Sequence, residues 1–333
     1  MNGQDDRRPS NGIPRCPRSW FLVCASRDLR PGRVRTWSPA GLDVVLFRGR
    51  DDRRARALAA PCIHMGTHLG FGDVVGDELR CPLHHWRFDG DGRCRQAQSE
   101  DAVRQPAFPV VERFGAVFVF LGPEPSFEVP GFSRAAADEV RMIAGSPVRL
   151  RCDWHAVASN GFDIQHLQTV HGRALDEPPE LVRLDAHRVR LTYTSRVTGT
   201  AFADRFMKAL SGDRIRVCVT CVGGSLVTVE SDLGRARSVM MMSVHPLADG
   251  TEVRPLFGIF RGAVPALDAL RLAAARWLFS AFMRKDVAFM DDMRFHRGRC
   301  GPVDPVLHGF LDFLEELPSA HVEGREARHK EVP

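Results

Sequence analysis

The chain has 333 residues, 44% of them apolar and 26% charged, which is enough for two domains of ordinary size, each with its own core. Its net charge of +5, from 46 basic and 41 acidic residues, is too mild and too evenly spread to indicate a nucleic-acid binder. It fits a mixed-charge surface, and at long range it would steer in an acidic electron-donor protein. No run of 18 apolar residues exists and the first twenty residues are polar and charged, so neither a membrane span nor a signal peptide is expected and a cytoplasmic protein is. Nine cysteines in such a chain suggest reduced thiols and metal ligation in place of a disulfide framework.

Residues 1–19 are rich in Arg, Asp and Pro without apolar period and are expected to form a flexible tail, as are residues 319–333. From residue 20 to 126, short apolar runs (FLVCAS, DVVLF, AVFVFLG) broken by Gly, Asp and Pro predict a small antiparallel β domain. The proline-spaced stretch PEPSFEVPGF marks its end. Residues 127–318 continue as a mixed segment and then five strand-like runs, from RVRLTYTSRVTG to TEVRPLFGIFRG. After Pro265 come about thirty residues of helix formers, through the Phe and His of MRFH. A long helix over an antiparallel sheet gives an α+β domain with a pocket between the two layers, for which Met240, Met242, Phe257, Phe260, Phe282 and Phe289 are candidate lining residues. Cys218 and Cys221 form a C-x-x-C within a strand-like run, where odd spacing puts them on opposite faces.

Within the first domain, Cys62-x-His64 and Cys81-x-x-His84 are separated by sixteen residues. Two thiolates and two imidazoles match a [2Fe-2S] cluster in which histidines replace two cysteines on one iron, raising its potential to roughly −150 to +300 mV. Structural zinc is the competing reading, although zinc fingers pair C-x(2-4)-C with H-x(3-5)-H, whereas here each half supplies one Cys and one His. Gly66, Gly70, Gly72 and Gly76 allow tight turns around the site, Trp86 is placed to cover it, and His68 and His85 fall off the ligand spacing.

The segments C-x-H, CP-x-H-x-W and DGRC resemble the Rieske non-haem iron oxygenases, and HMG-x-x-L, V-x-GDE and WR-x-x-GDGRC are especially similar to 3-ketosteroid 9α-hydroxylase oxygenase components. That likeness is dense only over residues 60–95. Residues 160–173, NGFDIQHLQTVHGR, set Asn160, Asp163, His166 and His171 in a pattern similar to the family's N-x-x-D-x-x-H-x(4)-H. Two imidazoles and a carboxylate make the facial triad of mononuclear Fe(II). His166 and His171 are five apart, about 140° round an ideal helix, so the helix must end or bulge between them. Asp163, three residues before His166, is placed to take its imidazole N–H. For the third ligand, Asp286 shares a stripe with Phe279, Phe282, Met283 and Met290, while Asp291 and Asp292 remain in reserve. KDVAFMDDM resembles the family's E-D-K-x-x-x-E segment with Lys285 in place of its first glutamate.

The resemblance implies an all-β Rieske domain followed by a helix-grip, START-like catalytic domain, and a head-to-tail homotrimer. Electrons would pass from one subunit's His84 through its neighbour's Asp163 and His166. It implies dioxygen as co-substrate, an apolar, polycyclic or steroid-like substrate, and a ferredoxin or flavin reductase as partner. NAD(P)H would act only through that reductase, because no G-x-G-x-x-G opens a helix here. A Rieske electron carrier without catalysis and a lipid-binding module are the competing classes. The first leaves the second histidine motif unexplained, and the second ignores both motifs.

Overall fold

The computed structural model describes residues 12–96, 103–132, 139–212, 214–234, 236–262, 264–297 and 304–320. The chain divides into two compact units, one formed by Arg18–Val129 and the other by Pro130–Ser319 with the segment ending at Pro17.

The first unit is all antiparallel β among its described residues. β1 (Trp20–Ala25), β9 (Val110–Arg113) and β10 (Ala116–Phe120) form one sheet, while β2 (Val34–Trp37), β3 (Val44–Arg48), β4 (Ala55–Ala59) and β8 (Ala107–Phe108) form a second. β5 (Asp73–Val75), β6 (Glu78–Arg80) and β7 (Arg87–Phe88) form a third, small sheet. The apolar runs read as continuous burial, with every residue of β1, β3 and β10 inside. Val45, Phe47, Leu58, Leu79 and Phe88 gather under the loops that carry Cys62 and Cys81.

The second unit is a nine-stranded antiparallel sheet whose main path runs β11 (Val140–Ala144), β19 (Thr251–Phe260), β18 (Arg237–Pro246), β17 (Leu226–Asp232), β16 (Arg214–Val222), β15 (Arg188–Val197) and β13 (Arg173–Leu175). β12 (Val148–Leu150) also pairs with β19, and β14 (Glu180–Arg183) with β15. The five expected runs are β15 to β19. Pro255 lies inside β19, and the partner chain breaks opposite it: β11 ends at Ala144 and β12 begins at Val148, so no ladder bond is required of the missing N–H. Cys221 points into the core and Cys218 to the opposite face, as the spacing requires.

Five α-helices are described: α1 (Trp154–Asn160), α2 (Ile164–Thr169), α3 (Phe202–Ser211), α4 (Pro265–Met290) and α5 (Pro305–Glu315). α4 packs against β19 and β11, with Leu272 and Ala275 meeting Ile259. It stops at Met290, short of the run of helix formers, because Asp291 turns out to accept from the Arg151 backbone N–H at 2.9 Å. α5 stacks Phe310 on Phe162 at 3.9 Å, and its cap Asp304 accepts from Leu307 N and from Ile164 N, joining the starts of α5 and α2. Of the expected N-terminal tail, the described residues 12–19 are packed. Ile13 and Cys16 are buried, Pro14 O accepts from Trp154 Nε1 at 3.0 Å, and Pro17 bridges Ser319, so a short apolar segment finds a core without any period to announce it. Most of the expected C-terminal tail lies outside the described residues.

Candidate metal centres

Two loops with the same backbone pattern present the first four donors. In one, Cys62 N donates to Thr67 O (2.9 Å) and Gly66 N to Cys62 O (2.7 Å); in the other, Cys81 N donates to Trp86 O (2.8 Å) and His85 N to Cys81 O (3.1 Å). The fifth residue of each loop takes a left-handed conformation, Gly66 at φ +78° and His85 at φ +58°. Both cysteines are buried, both histidines are exposed, and the His64 and His84 rings lie 4.7 Å apart. Trp86 stacks on His64 at 4.2 Å and 5°, so it orients that imidazole as well as flanking the site. His68 spends its Nδ1 on Gly70 N, and His85 serves the turn.

Burial, and then the adjacent Cys81 thiol, push the Cys62 thiol up to about 11, so its thiolate needs a cation beside it. Tetrahedral zinc with bonds of ~2.0–2.3 Å would draw its donors to within about 3.8 Å of one another. Among the described residues, the group of three or more such side chains with ligand atoms within 4.8 Å lies elsewhere, so these four are spread for something wider than one ion. A two-iron cluster fits that spread.

Two glutamines that the sequence reading did not single out hold the loops. Gln105, fully buried, donates to Ala59 O and Pro61 O and accepts from Ile63 N; Gln96 accepts from Arg87 N and donates to His85 O. Nothing in their spacing marks them.

In the second unit His166, His171 and Asp286 converge. Asp286 Oδ1 lies 2.9 Å from His166 Nε2 and 2.7 Å from His171 Nε2, and the two nitrogens are 3.1 Å apart. Donors on one face of an octahedron with bonds of ~2.1 Å sit ~3.0 Å apart. A closed triangle of three such contacts is poorly served by shared protons, whereas one cation satisfies all three. α2 ends at Thr169, leaving His171 in the following turn and thereby closing the 140° gap between the histidines. His171 is buried, its ring stacked on Phe282 at 3.4 Å and 5°, and its Nδ1 has no hydrogen-bond partner among the described residues. Burial pushes the Asp286 carboxyl up, but the two imidazoles outweigh it and hold it below the usual carboxylate range.

Asp163 does something other than expected. Its Oδ1 accepts from the backbone N–H of His166 at 2.8 Å as the N-cap of α2, so it sets the helix that carries His166 without holding the imidazole. Asp291 and Asp292 both turn to Arg151, at 2.9 and 2.6 Å. Asn160, at the end of α1, lines the cavity that opens on the triad.

That cavity lies between the sheet and α4. Met240, Met242 and Phe282 line it; Phe257 instead packs towards Phe279, Phe260 meets Arg237, and Phe289 is exposed. Its walls also carry polar groups that patterning did not flag. Arg173, buried, pairs with buried Asp204 at 3.3 Å, and Tyr193, the chain's single tyrosine, faces the cavity near it. Ser231 and Ser238 face each other across β17 and β18 on the same wall. The inward alternation along β15 was the available signal for Tyr193.

A β unit presenting paired Cys/His loops, followed by a helix-on-sheet unit with an open triad, defines an iron-dependent oxidoreductase built from an electron-storing and an oxygen-activating half. Comparison with known proteins agrees. The sequence pattern of the Rieske [2Fe-2S] domain matches residues 19–109. Cholesterol 7-desaturase nvd of Bombyx mori is 30% identical over 350 residues, covering 96% of this chain and 73% of that protein. The 3-ketosteroid-9-alpha-monooxygenase oxygenase component of Rhodococcus rhodochrous is 24% identical over 261 residues, covering 74% of this chain and 63% of that one. The crystal structure of dicamba monooxygenase bound to dicamba superposes with a TM-score of 0.66 over 90% of this chain and 97% of that one, at 16% identity, which speaks for the fold. The chain belongs to the Rieske non-haem iron oxygenases.

Proposed function

We propose that this chain is the oxygenase component of a Rieske monooxygenase or desaturase acting on a bulky apolar substrate, sterol- or steroid-like in size, with electrons supplied by a separate ferredoxin or flavin reductase. The observation that carries the proposal is the triangle of His166, His171 and Asp286 donors opening into an apolar cavity. Cys62, His64, Cys81 and His84 are the residues we assign to the cluster, and that triad to the iron. When bound, the two groups supply single-electron storage and dioxygen activation.

The chain's own residues do the rest. The triad would hold the iron, the Met and Phe walls exclude water and hold an apolar body, and Asp163 fixes the helix that aims His166. The relatives named for sterols and steroids support an alicyclic substrate. The Arg173 charge is already matched by Asp204, so the cavity's polar wall suits a neutral hydroxyl or carbonyl. Exposed His64 and His84 suit delivery to another subunit, and we infer a head-to-tail homotrimer that brings His84 of one subunit to Asp163 of the next. The described cysteines form no disulfide, which suits a cytoplasmic setting.

The test is iron and acid-labile sulfide per chain with an electron paramagnetic resonance spectrum of the reduced protein. About three irons and two sulfides with a Rieske-type signal is the expected result. Zinc without sulfide would overturn the proposal.

A further inference from the structure

α4 is apolar almost all round, a pattern that belongs to a helix buried on every side, yet one side of it faces solvent. Leu267 (54% exposed), Leu270 (69%) and Trp277 (40%) recur at helical spacing along that side. α3 extends the surface, with Phe202 (67%) and Phe206 set edge-on to Trp277 at 5.8 and 6.1 Å. A contiguous exposed aromatic and leucine ridge of this kind marks a surface that meets something apolar.

The charges on the same two helices say what. Arg205, Lys208, Arg276 and Arg284 are exposed, whereas the three acids of α3 and α4 are turned inward: Asp204 to Arg173, Asp268 to Gly262 N and Arg271, and Asp286 to the histidine pair. An apolar ridge on two helices whose exposed charges, among the described residues, are all cations matches an anionic lipid surface, where the side chains reach the acyl boundary and the cations the headgroups. A second copy of the same face would set like charges against each other. No helix among the described residues is long and apolar enough to cross a membrane, so the contact lies in the surface plane.

We propose that the α3–α4 face is a membrane-docking surface for anionic lipid. The same two helices also wall the cavity, through Met207, Ala275 and Leu278. A lipid-dissolved substrate would therefore meet the cavity wall at the bilayer surface. Only that delivery role rests on the proposed reaction; docking stands without it.

The full chain is to be floated with vesicles of phosphatidylcholine and with vesicles in which part of it is replaced by phosphatidylglycerol. It should float with the second, about tenfold less with the first, and less as salt is added. The double variant Leu267→Glu/Leu270→Glu, at two highly exposed positions, should keep its melting temperature and cluster spectrum and lose binding about tenfold or more. No flotation with phosphatidylglycerol vesicles, or flotation unchanged in the double variant, overturns the proposal. A variant that changes only oligomer size, without vesicle binding in the parent, assigns the face to a second copy.

Discussion

His85 stands where the matching loop has Gly66, and its backbone is left-handed at φ +58°. A histidine tolerates that region at some cost and a β-branched residue does not. His85→Gly should therefore keep the cluster spectrum and match or slightly exceed the parent in stability, whereas His85→Val should lose about 1–2 kcal/mol in a urea titration. Loss of the cluster in His85→Gly would make His85 a ligand. Asp286 offers a sharper contrast with its neighbours. Asp286→Ala should retain the cluster while losing mononuclear iron and turnover, and Asp291→Ala, which removes the ion pair and backbone hydrogen bond to Arg151 at the end of α4, should retain both metals. Metal analysis of the two variants checks this. The ligand spacings were legible in the sequence because metal geometry constrains residues close together in the chain. Gln96 and Gln105 were not, because they reach the loops across ladders whose register a single sequence leaves open.

Arg48 and Glu112 tie the elements of the β unit together. Both terminal guanidinium nitrogens meet the carboxylate, at 2.7 and 2.8 Å, and the same side chain also donates to Leu29 O, Arg53 O and Ser26 O. The hydrogen bond from Arg48 holds the Glu112 carboxyl below its usual range despite partial burial. A carboxyl lowered in the folded state contributes stability that is present above its unfolded value of about 4.3 and is lost as pH falls through the folded one. Acid titration followed by circular dichroism should show the parent losing stability across that interval, and Glu112→Gln should flatten the dependence. Arg48→Ala should cost about 3 kcal/mol, since three carbonyls lose their donor along with the carboxylate. At the same scale, Gly172 sits at φ +56° beside Gly199, where an added Cβ would come within 2.9 Å of its backbone N. Gly172→Ala should push His171 off the triad and lower iron occupancy with the cluster unaffected. Strands β15 to β19 were legible because alternation and length agree, whereas the break between β11 and β12 depends on Pro255, more than a hundred residues away.

At the scale of the whole molecule, the sequence makes the order of the two units plain, since each carries its own composition and its own metal motif. What a single chain's sequence leaves open is which cluster serves which iron. In the head-to-tail assembly proposed above, with the histidines of the first unit exposed, each iron would be served by the cluster of a neighbouring subunit. Cys81→Ser removes the cluster but leaves the triad; Asp286→Ala removes the triad but leaves the cluster. Each protein alone should be inactive on either view. Dissociated, mixed in equal amounts and reassembled at random, half the subunits keep the triad, and half of those face a neighbour that keeps the cluster. Oxygen consumption with reductase and a turned-over substrate should then recover to about a quarter of the parent rate. If each cluster served the iron of its own chain, no mixed assembly would contain a working pair, and the mixture would stay as inactive as its parts.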